Sequence, residues 1–205
     1  MAGPLALLGG TFDPPHAGHL FLAECARVQF AARRVVLLPA GDPYRKTRED
    51  APFHREVTPA RHRLAMTALA VAGNPAFAAD GREVHRRGPT YTIDTLEEFH
   101  AAGERDLLLV LGSDALADLP NWREPLRIAT LARVAVAEKD GAEGTTAALA
   151  RAAGLPYTPD VVDMPRLTIS STAIRARIAA GKAVRYLVAD AVLDYIEAHR
   201  LYRQG

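Results

Sequence analysis

The first thirty residues constrain this chain most. "LALLG" (5–9) is a short apolar run ending in glycine, the pattern of a buried strand. "GHLFLAECARVQF" (18–30) sets Leu20, Phe21, Ala23, Cys25, Ala26 and Val28 near helical spacing. Between them, "GGTFDPPHAGHL" (9–20) crowds glycine, proline and histidine together. Gly and Pro weaken regular elements, so such a cluster reads as a turn with a task. A buried strand that turns directly into a helix is the first half of a parallel crossover unit, and parallel strands need such crossovers.

The rest of the chain continues that alternation. Further strands are expected at 35–38, stopped by Pro39, at 107–111, at 133–137 and within "DVVDM" (160–164). "PAFAADGREVH" (75–85) reads as extended. "TPARHRLAMTALAVA" reads as a helix with Thr58 as N-cap and Pro59 at its first position. "TYTIDTLEEFHAAG" is a helix closed by Gly103, and "SSTAIRARIAAG" and "ADAVLDYIEAHRLY" are the last two helices. Residues 40–58 are polar and proline-interrupted and read as a mobile loop. The expected class is α/β: a doubly wound parallel sheet with helices on both faces, in a single domain over 1–205 with a C-terminal helical part at about 168–205 packed on it. Such sheets bind ligands beyond the carboxyl ends of their strands. The first turn, the turn after 107–111 and the 163–172 connection all fall at such ends.

Charge narrows the ligand. Lys and Arg number 25 and Asp and Glu 24, a net charge of +1. No global field favours nucleic acid or a membrane surface, so neither is an expected partner and any anion site must be built locally. The lone cysteine, Cys25, excludes an intrachain disulfide and reads as a small buried hydrophobe. The most apolar long window, "LAMTALAVAGNPAFAA", is broken at Gly73, Asn74 and Pro75, too short for a bilayer. With no signal-peptide pattern at the N-terminus, the expected location is cytoplasmic.

A helix beginning near Gly18 offers free N–H groups and a partial positive charge to an anion. His16 and His19, three apart, share one face of a first helical turn, and both can donate to phosphate oxygens. As a zinc pair they lack further ligands. Gly18 between them suggests room for a bulky ligand. The stretch is neither G-x-G-x-x-G nor a P-loop.

"GGTFDPPHAGH" resembles the first signature of the HIGH-motif nucleotidyltransferase superfamily, with "HAGH" in place of His-x-Gly-His. "ISSTAIR" (169–175), about 150 residues on, resembles its C-terminal Ile-Ser-x-Thr-x-Ile-Arg. Pro165-Arg166-Leu167-Thr168 before that motif and Ile174-Arg175 within it favour adenylyltransferases over cytidylyltransferases. "GPTYTIDTL" (88–96), "LGSDALADLPNW" (111–122) and "YIEAHRLY" (195–202) make the whole similar to bacterial nicotinate-nucleotide adenylyltransferases.

That resemblance implies a Rossmann-like fold and transfer of the adenylyl group of ATP to nicotinate mononucleotide, with Mg²⁺ held mainly by the ATP phosphates and no protein metal site. It implies catalytic roles for His16, His19, Lys46 and Arg175. ATP contacts are implied for Gly9, Gly10, Thr11, Phe12, Gly18, Ile169, Ser170 and Ser171, with Gly112 and Asp114 at the ribose. Trp122 is the implied stacking partner of the pyridine ring, with Thr92 and Arg123 at the nicotinate carboxylate and Tyr91 packing. Nicotinamide mononucleotide or phosphopantetheine as acceptor, and a non-catalytic nucleotide-binding regulator, are the competing readings. Three positions depart from the family pattern: Arg45 before Lys46, Arg123 after Trp122, and "KDG" at 139–141, where Lys139 lacks the planar fork of arginine. His54, His62, His85, His100 and His199 match no motif and read as surface or structural.

Overall fold

Six strands form one sheet in the order β3-β2-β1-β4-β5-β6. The computed structural model describes residues 3–203 apart from 138–144, 153 and 166. Lys139 of the "KDG" segment therefore lies outside the described residues. β1 (Leu5–Gly10) is followed by α1 (Ala17–Gln29), and β2 (Arg34–Pro39) by α2 (Tyr44–Thr47) and α3 (Ala60–Val71). β3 (Phe77–Ala79), α4 (Arg82–His85) and α5 (Thr92–Ala101) lead to β4 (Leu107–Gly112) and α6 (Ser113–Asp118). A short 3-10 turn, Leu119–Asn121, precedes α7 (Pro125–Leu131), β5 (Arg133–Ala137), α8 (Thr145–Ala152), β6 (Asp160–Val161), α9 (Ser171–Ala179) and α10 (Asp190–Ala198). This is the doubly wound α/β arrangement that the alternation predicts. The strand order reverses at β1, whose carboxyl end runs directly into Thr11, Phe12 and Asp13.

Contacts divide the chain into two compact units. The first comprises Met1–Gly9, Leu22–Val36 and Tyr91–Arg166. In it β1, β4, β5 and β6 pair in parallel, with Leu8 opposite Val110, Val110 opposite Ala135, and Val136 opposite Val161. Leu5–Leu8, Leu107–Leu111 and Val134–Val136 are all buried. A parallel strand covered on both faces has no polar side to alternate, which is why these segments read as unbroken apolar runs.

The second unit comprises Gly10–Phe21, Leu37–Thr90 and Leu167–Gly205. Its core gathers Met66 of α3, Ile174 of α9, Val184 and Val188 of the connection, and Val192 and Ile196 of α10. These six side chains come from three helices and a loop. At about 0.8 kcal/mol per buried methylene they anchor α9 and α10 beside α3.

Several local expectations shift. The stretch 75–85 is extended only at Phe77–Ala79, and Arg82–His85 is helical because Asp80 accepts from the Arg82 backbone N–H (2.8 Å) and side chain, turning the chain. The strand expected within 160–164 covers two residues, Asp160–Val161. Pro59, not Thr58, occupies the N-cap of α3 and makes no side-chain cap. The Thr58 hydroxyl bonds the Asp13 carboxylate instead, a charged acceptor that outcompetes a helix N–H. Cys25 is half-buried rather than buried, with its thiol pKa raised first by desolvation and then by Asp163 and Glu24. The 40–58 segment contains the helical turn Tyr44–Thr47.

Candidate active site

The turn after β1 is built around strained backbone. Phe12 takes φ 49°, a left-handed conformation unfavourable for a bulky residue, and its ring is 1% exposed. Gly10 makes this possible: a Cβ there would sit 3.0 Å from the Phe12 ring. The Phe12 side chain is thus core, and any ATP contact by this residue falls to its backbone. The edge of the same ring meets His19, with centroids 4.9 Å apart.

His16 and His19 stack, ring centroids 3.7 Å apart at 27°. The His16 backbone N–H donates to His19 Nδ1 at 3.2 Å. An accepting Nδ1 assigns the proton of the neutral ring to Nε2, so His19 offers one N–H donor on its far edge. Burial pushes the His16 pKa down to about 4, and His16 Nδ1 is buried without a hydrogen-bond partner. Burial, then His16 and then Lys46, hold His19 well below the ordinary histidine range. Both rings are neutral near pH 7. Gly18 has a reason other than room for a ligand: a Cβ would lie 3.1 Å from His16 Nδ1. Its missing side chain admits the His16 ring.

The two sequence motifs meet in this unit. Ser171 Oγ donates to the Pro14 carbonyl at 2.9 Å, and Arg175 Nη1 donates to the Asp13 carbonyl at 2.8 Å. Ser170 caps α9, accepting from the Ala173 N–H at 3.1 Å. Ile169 packs partly into the α3–α9–α10 core, 3.9 Å from where a Gly18 Cβ would stand. Lys46 Nζ donates to Thr11 Oγ1 at 2.8 Å. Burial lowers the Lys46 pKa, with Arg55 pushing the same way and Asp13 opposing.

Asp13, Arg55, Arg63 and Tyr202, given no role from the sequence, meet at this turn. Asp13 is 1% exposed and accepts from Arg55 Nη1 at 2.6 Å and from the Tyr202 hydroxyl at 2.8 Å. Burial raises its pKa, but hydrogen bonds from Arg55, Thr58 and Tyr202 outweigh that and leave it lowered. Arg63, also 1% exposed, donates to the carbonyls of Thr58 (2.8 Å), Thr11 (2.8 Å) and Gly41 (3.0 Å). Lys46, Arg55, Arg63 and Arg175 thus gather around one buried carboxylate. The turn is a cationic cup, suited to a polyanion.

The other unit holds the remaining residues that the sequence resemblance implicates. Gly112 leads into α6, and a Cβ on it would meet no protein atom within 4 Å; the same is true of Gly9. Asp114 lies exposed in the first turn of α6. Thr92 opens α5, where Tyr91 at the N-cap supplies no side-chain cap. Trp122 is half-buried and donates its indole N–H to Asp118 at 3.2 Å, which fixes the ring's orientation. Arg123 stands over the Tyr91 ring, 5.0 Å from its centroid, and 3.7 Å from Asp94 of α5. Its cation is therefore shared with Asp94 and with Glu124 (3.8 Å). Arg123 thereby reaches Tyr91 and Asp94, which flank the first turn of α5 that Thr92 opens.

A strand-to-helix turn with paired histidines and a cationic cup, on a doubly wound sheet, defines a nucleotide-handling α/β protein. The family model described as Cytidylyltransferase-like matches residues 7–177. A relative from Roseiflexus sp. strain RS-1, named as a probable nicotinate-nucleotide adenylyltransferase, is 47% identical over 98% of this chain and 99% of its own length. One of the same name from Streptomyces coelicolor is 40% identical over 96% and 99%. The chain belongs to the cytidylyltransferase-like family and, within it, to the nicotinate-nucleotide adenylyltransferases. The solved structure of Plasmodium falciparum nicotinic acid mononucleotide adenylyltransferase complexed with NaAD shares the fold, with a TM-score of 0.73 at 19% identity over 98% of this chain and 97% of that one.

Proposed function

We propose that this chain transfers the adenylyl group of ATP to nicotinate mononucleotide, releasing pyrophosphate and forming nicotinate adenine dinucleotide, as a cytoplasmic enzyme of pyridine-nucleotide synthesis. The observation that carries the reading is the cup itself: Arg175 is bonded to the FDPPHAGH turn on which His16 and His19 stack, and Lys46 is bonded to Thr11 just before it. No helix among the described residues is long and apolar enough to cross a membrane.

The acceptor's 5′-phosphate is already an anion at neutral pH, so attack on the α-phosphorus needs no general base and no covalent intermediate. What remains is alignment and stabilisation of the charge on the transferring and leaving phosphates. The neutral His19 donates from Nε2 to the α-phosphate, and His16 lies stacked against it. Lys46 and Arg175 hold the β- and γ-phosphates, supported by the N–H groups at the start of α9. Thr11, Gly9, Gly10 and Gly18 bring backbone close to the nucleotide, and Gly112 and Asp114 take the ribose. ATP enters as its magnesium complex, with Mg²⁺ carried on phosphate and water. Asp13, the carboxylate at the turn, is already engaged by Arg55 and Tyr202. Trp122 stacks on the pyridine ring, while the Thr92 N–H and Arg123 meet its carboxylate.

Incubation of the purified protein with α-labelled ATP, Mg²⁺ and nicotinate mononucleotide tests this. One labelled dinucleotide is expected per pyrophosphate released. Pyrophosphate without dinucleotide, or neither product, overturns the proposal.

A further inference from the structure

The groups assigned to phosphate lie on three segments distant in sequence, and all three are tied to a residue that touches no phosphate in that scheme. Asp13 Oδ2 accepts from Arg55, whose own backbone N–H donates to the Lys46 carbonyl at 2.8 Å. Asp13 Oδ1 accepts from Tyr202, 189 positions away. Its backbone carbonyl accepts from Arg175 and its neighbour's from Ser171. Thr58, at the end of the 40–58 segment, completes the carboxylate's donors. One buried residue thereby connects the paired-histidine turn, the Lys46 segment and the C-terminal turn through its side chain, and the start of α9 through its backbone carbonyl and a 3.9 Å ion pair with Arg175.

We infer that Asp13 is a positioning residue for adenylyl transfer, holding Lys46 and Arg175 in register through Arg55 and its own backbone, with Tyr202 as its anchor. The inference rests on the adenylyltransferase reading and deepens it. The physical need is plain. Lys46, Arg55, Arg63 and Arg175 repel one another, and without a central anion they spread apart until ATP arrives. Asp13 lets them stand assembled beforehand, so that less ordering is required in the transition state. Tyr202 adds a neutral donor whose half-buried ring packs against the core of α3, α9 and α10, and its hydroxyl also lies 3.9 Å from Met66 Sδ. The C-terminal turn is thus part of the active-site frame.

The sign of one effect separates this from a purely electrostatic role. Asp13→Asn preserves shape and removes a negative charge from a site for a polyanion. If Asp13 mattered only through its field, ATP would bind more tightly in the variant. If it positions the cations, ATP binds more weakly and turnover falls with it. In the full-length protein we expect Asp13→Asn to raise KM for ATP about tenfold and lower kcat about tenfold, with KM for the acceptor unchanged within about twofold. Tyr202→Phe, which keeps the packing and loses one donor, is expected to move the same two constants by about threefold to fivefold. The double variant is expected to be no worse than Asp13→Asn alone, because both changes break one connection. Unchanged or tighter ATP binding in Asp13→Asn, or fully additive losses in the double variant, overturns the inference. So does a drop in melting temperature with both KM values intact. Activity of the unmodified protein, measured alongside, tests the adenylyltransferase reading separately.

Discussion

The His16 backbone N–H donates to His19 Nδ1 while the two rings lie stacked 3.7 Å apart. The hydrogen bond sets the tautomer and the stack sets the plane, so His19 presents a single preorganised donor. Neutral donors suit this task. A charged imidazolium would hold the ground-state triphosphate too, whereas a fixed N–H gains most where charge develops.

His19→Ala is expected to lower kcat/KM by roughly two to four orders of magnitude, the range for losing one preorganised group. His19→Gln, whose amide nitrogen reaches about as far as the imidazole Nε2, is expected to recover part of that loss. Steady-state kinetics with saturating acceptor measures both, and near-normal turnover in His19→Ala contradicts the assignment.

The buried neutral histidines make stability depend on pH. His16 has a native pKa of about 4 against 6.5 for an ordinary histidine. Between these values the unfolded chain takes up a proton that the folded chain refuses, so stability is expected to fall as pH drops from 6.5 toward 4. Asp13 adds a second loss further down: its pKa is lowered, so its contribution is present above the ordinary carboxylate value and disappears as pH falls through the native one. Denaturant unfolding at a series of pH values is the check. His16→Gln is expected to flatten the upper limb, and an unchanged slope contradicts a buried neutral His16.

Lys46 sits on a segment with one helical turn, and its ammonium is held by the Thr11 hydroxyl. Closure of 40–58 over ATP is expected to show as slower amide exchange in that segment when magnesium-ATP is added. Lys46→Met is expected to abolish most of the added protection. Equal exchange with and without nucleotide contradicts a closing segment.

The fold was legible where one force dominates. β4 and β5 are unbroken apolar runs because both faces are covered, and Gly103 stops α5 through its φ of +91°. Arg82–His85 was not, because a single Asp80 side chain overrides the local pattern. In the site, the motif residues could be named because chemistry and spacing coincide on short stretches. Arg63 could not: a charged residue in an exposed-looking helical pattern gave no sign that three carbonyls would surround it. Tyr202 was equally silent, since nothing in a sequence links it to a carboxylate 189 positions earlier. Asp13 was visible inside the first motif, wedged between Phe12 and Pro14, and its apolar setting was the available signal.

In the proposed acceptor site, Trp122 is oriented by Asp118 and Arg123 is shared with Asp94. Stacking treats both pyridine rings alike, so Trp122→Ala is expected to raise KM about tenfold or more for nicotinate mononucleotide and its amide analogue together, in line with ~1–3 kcal/mol for a base-aromatic stack. Arg123→Ala is expected to cost less than tenfold and only for the carboxylate, because Asp94 already offsets part of that charge. Parallel KM measurements on the two variants decide, and a carboxylate-selective loss in Trp122→Ala contradicts the stacking role.

The most direct measurement compares kcat/KM for nicotinate mononucleotide and nicotinamide mononucleotide with the same enzyme, ATP and Mg²⁺. At the start of α5 the Thr92 N–H and Arg123 are donors only. A carboxylate accepts from both, while an amide must turn its NH₂ toward one and leave a polar group unpaired. A preference for nicotinate mononucleotide of roughly 10⁴ is expected, the order reached by sites that recognise through such pairing. Comparable kcat/KM for the two acceptors, or faster transfer to the amide, would contradict it.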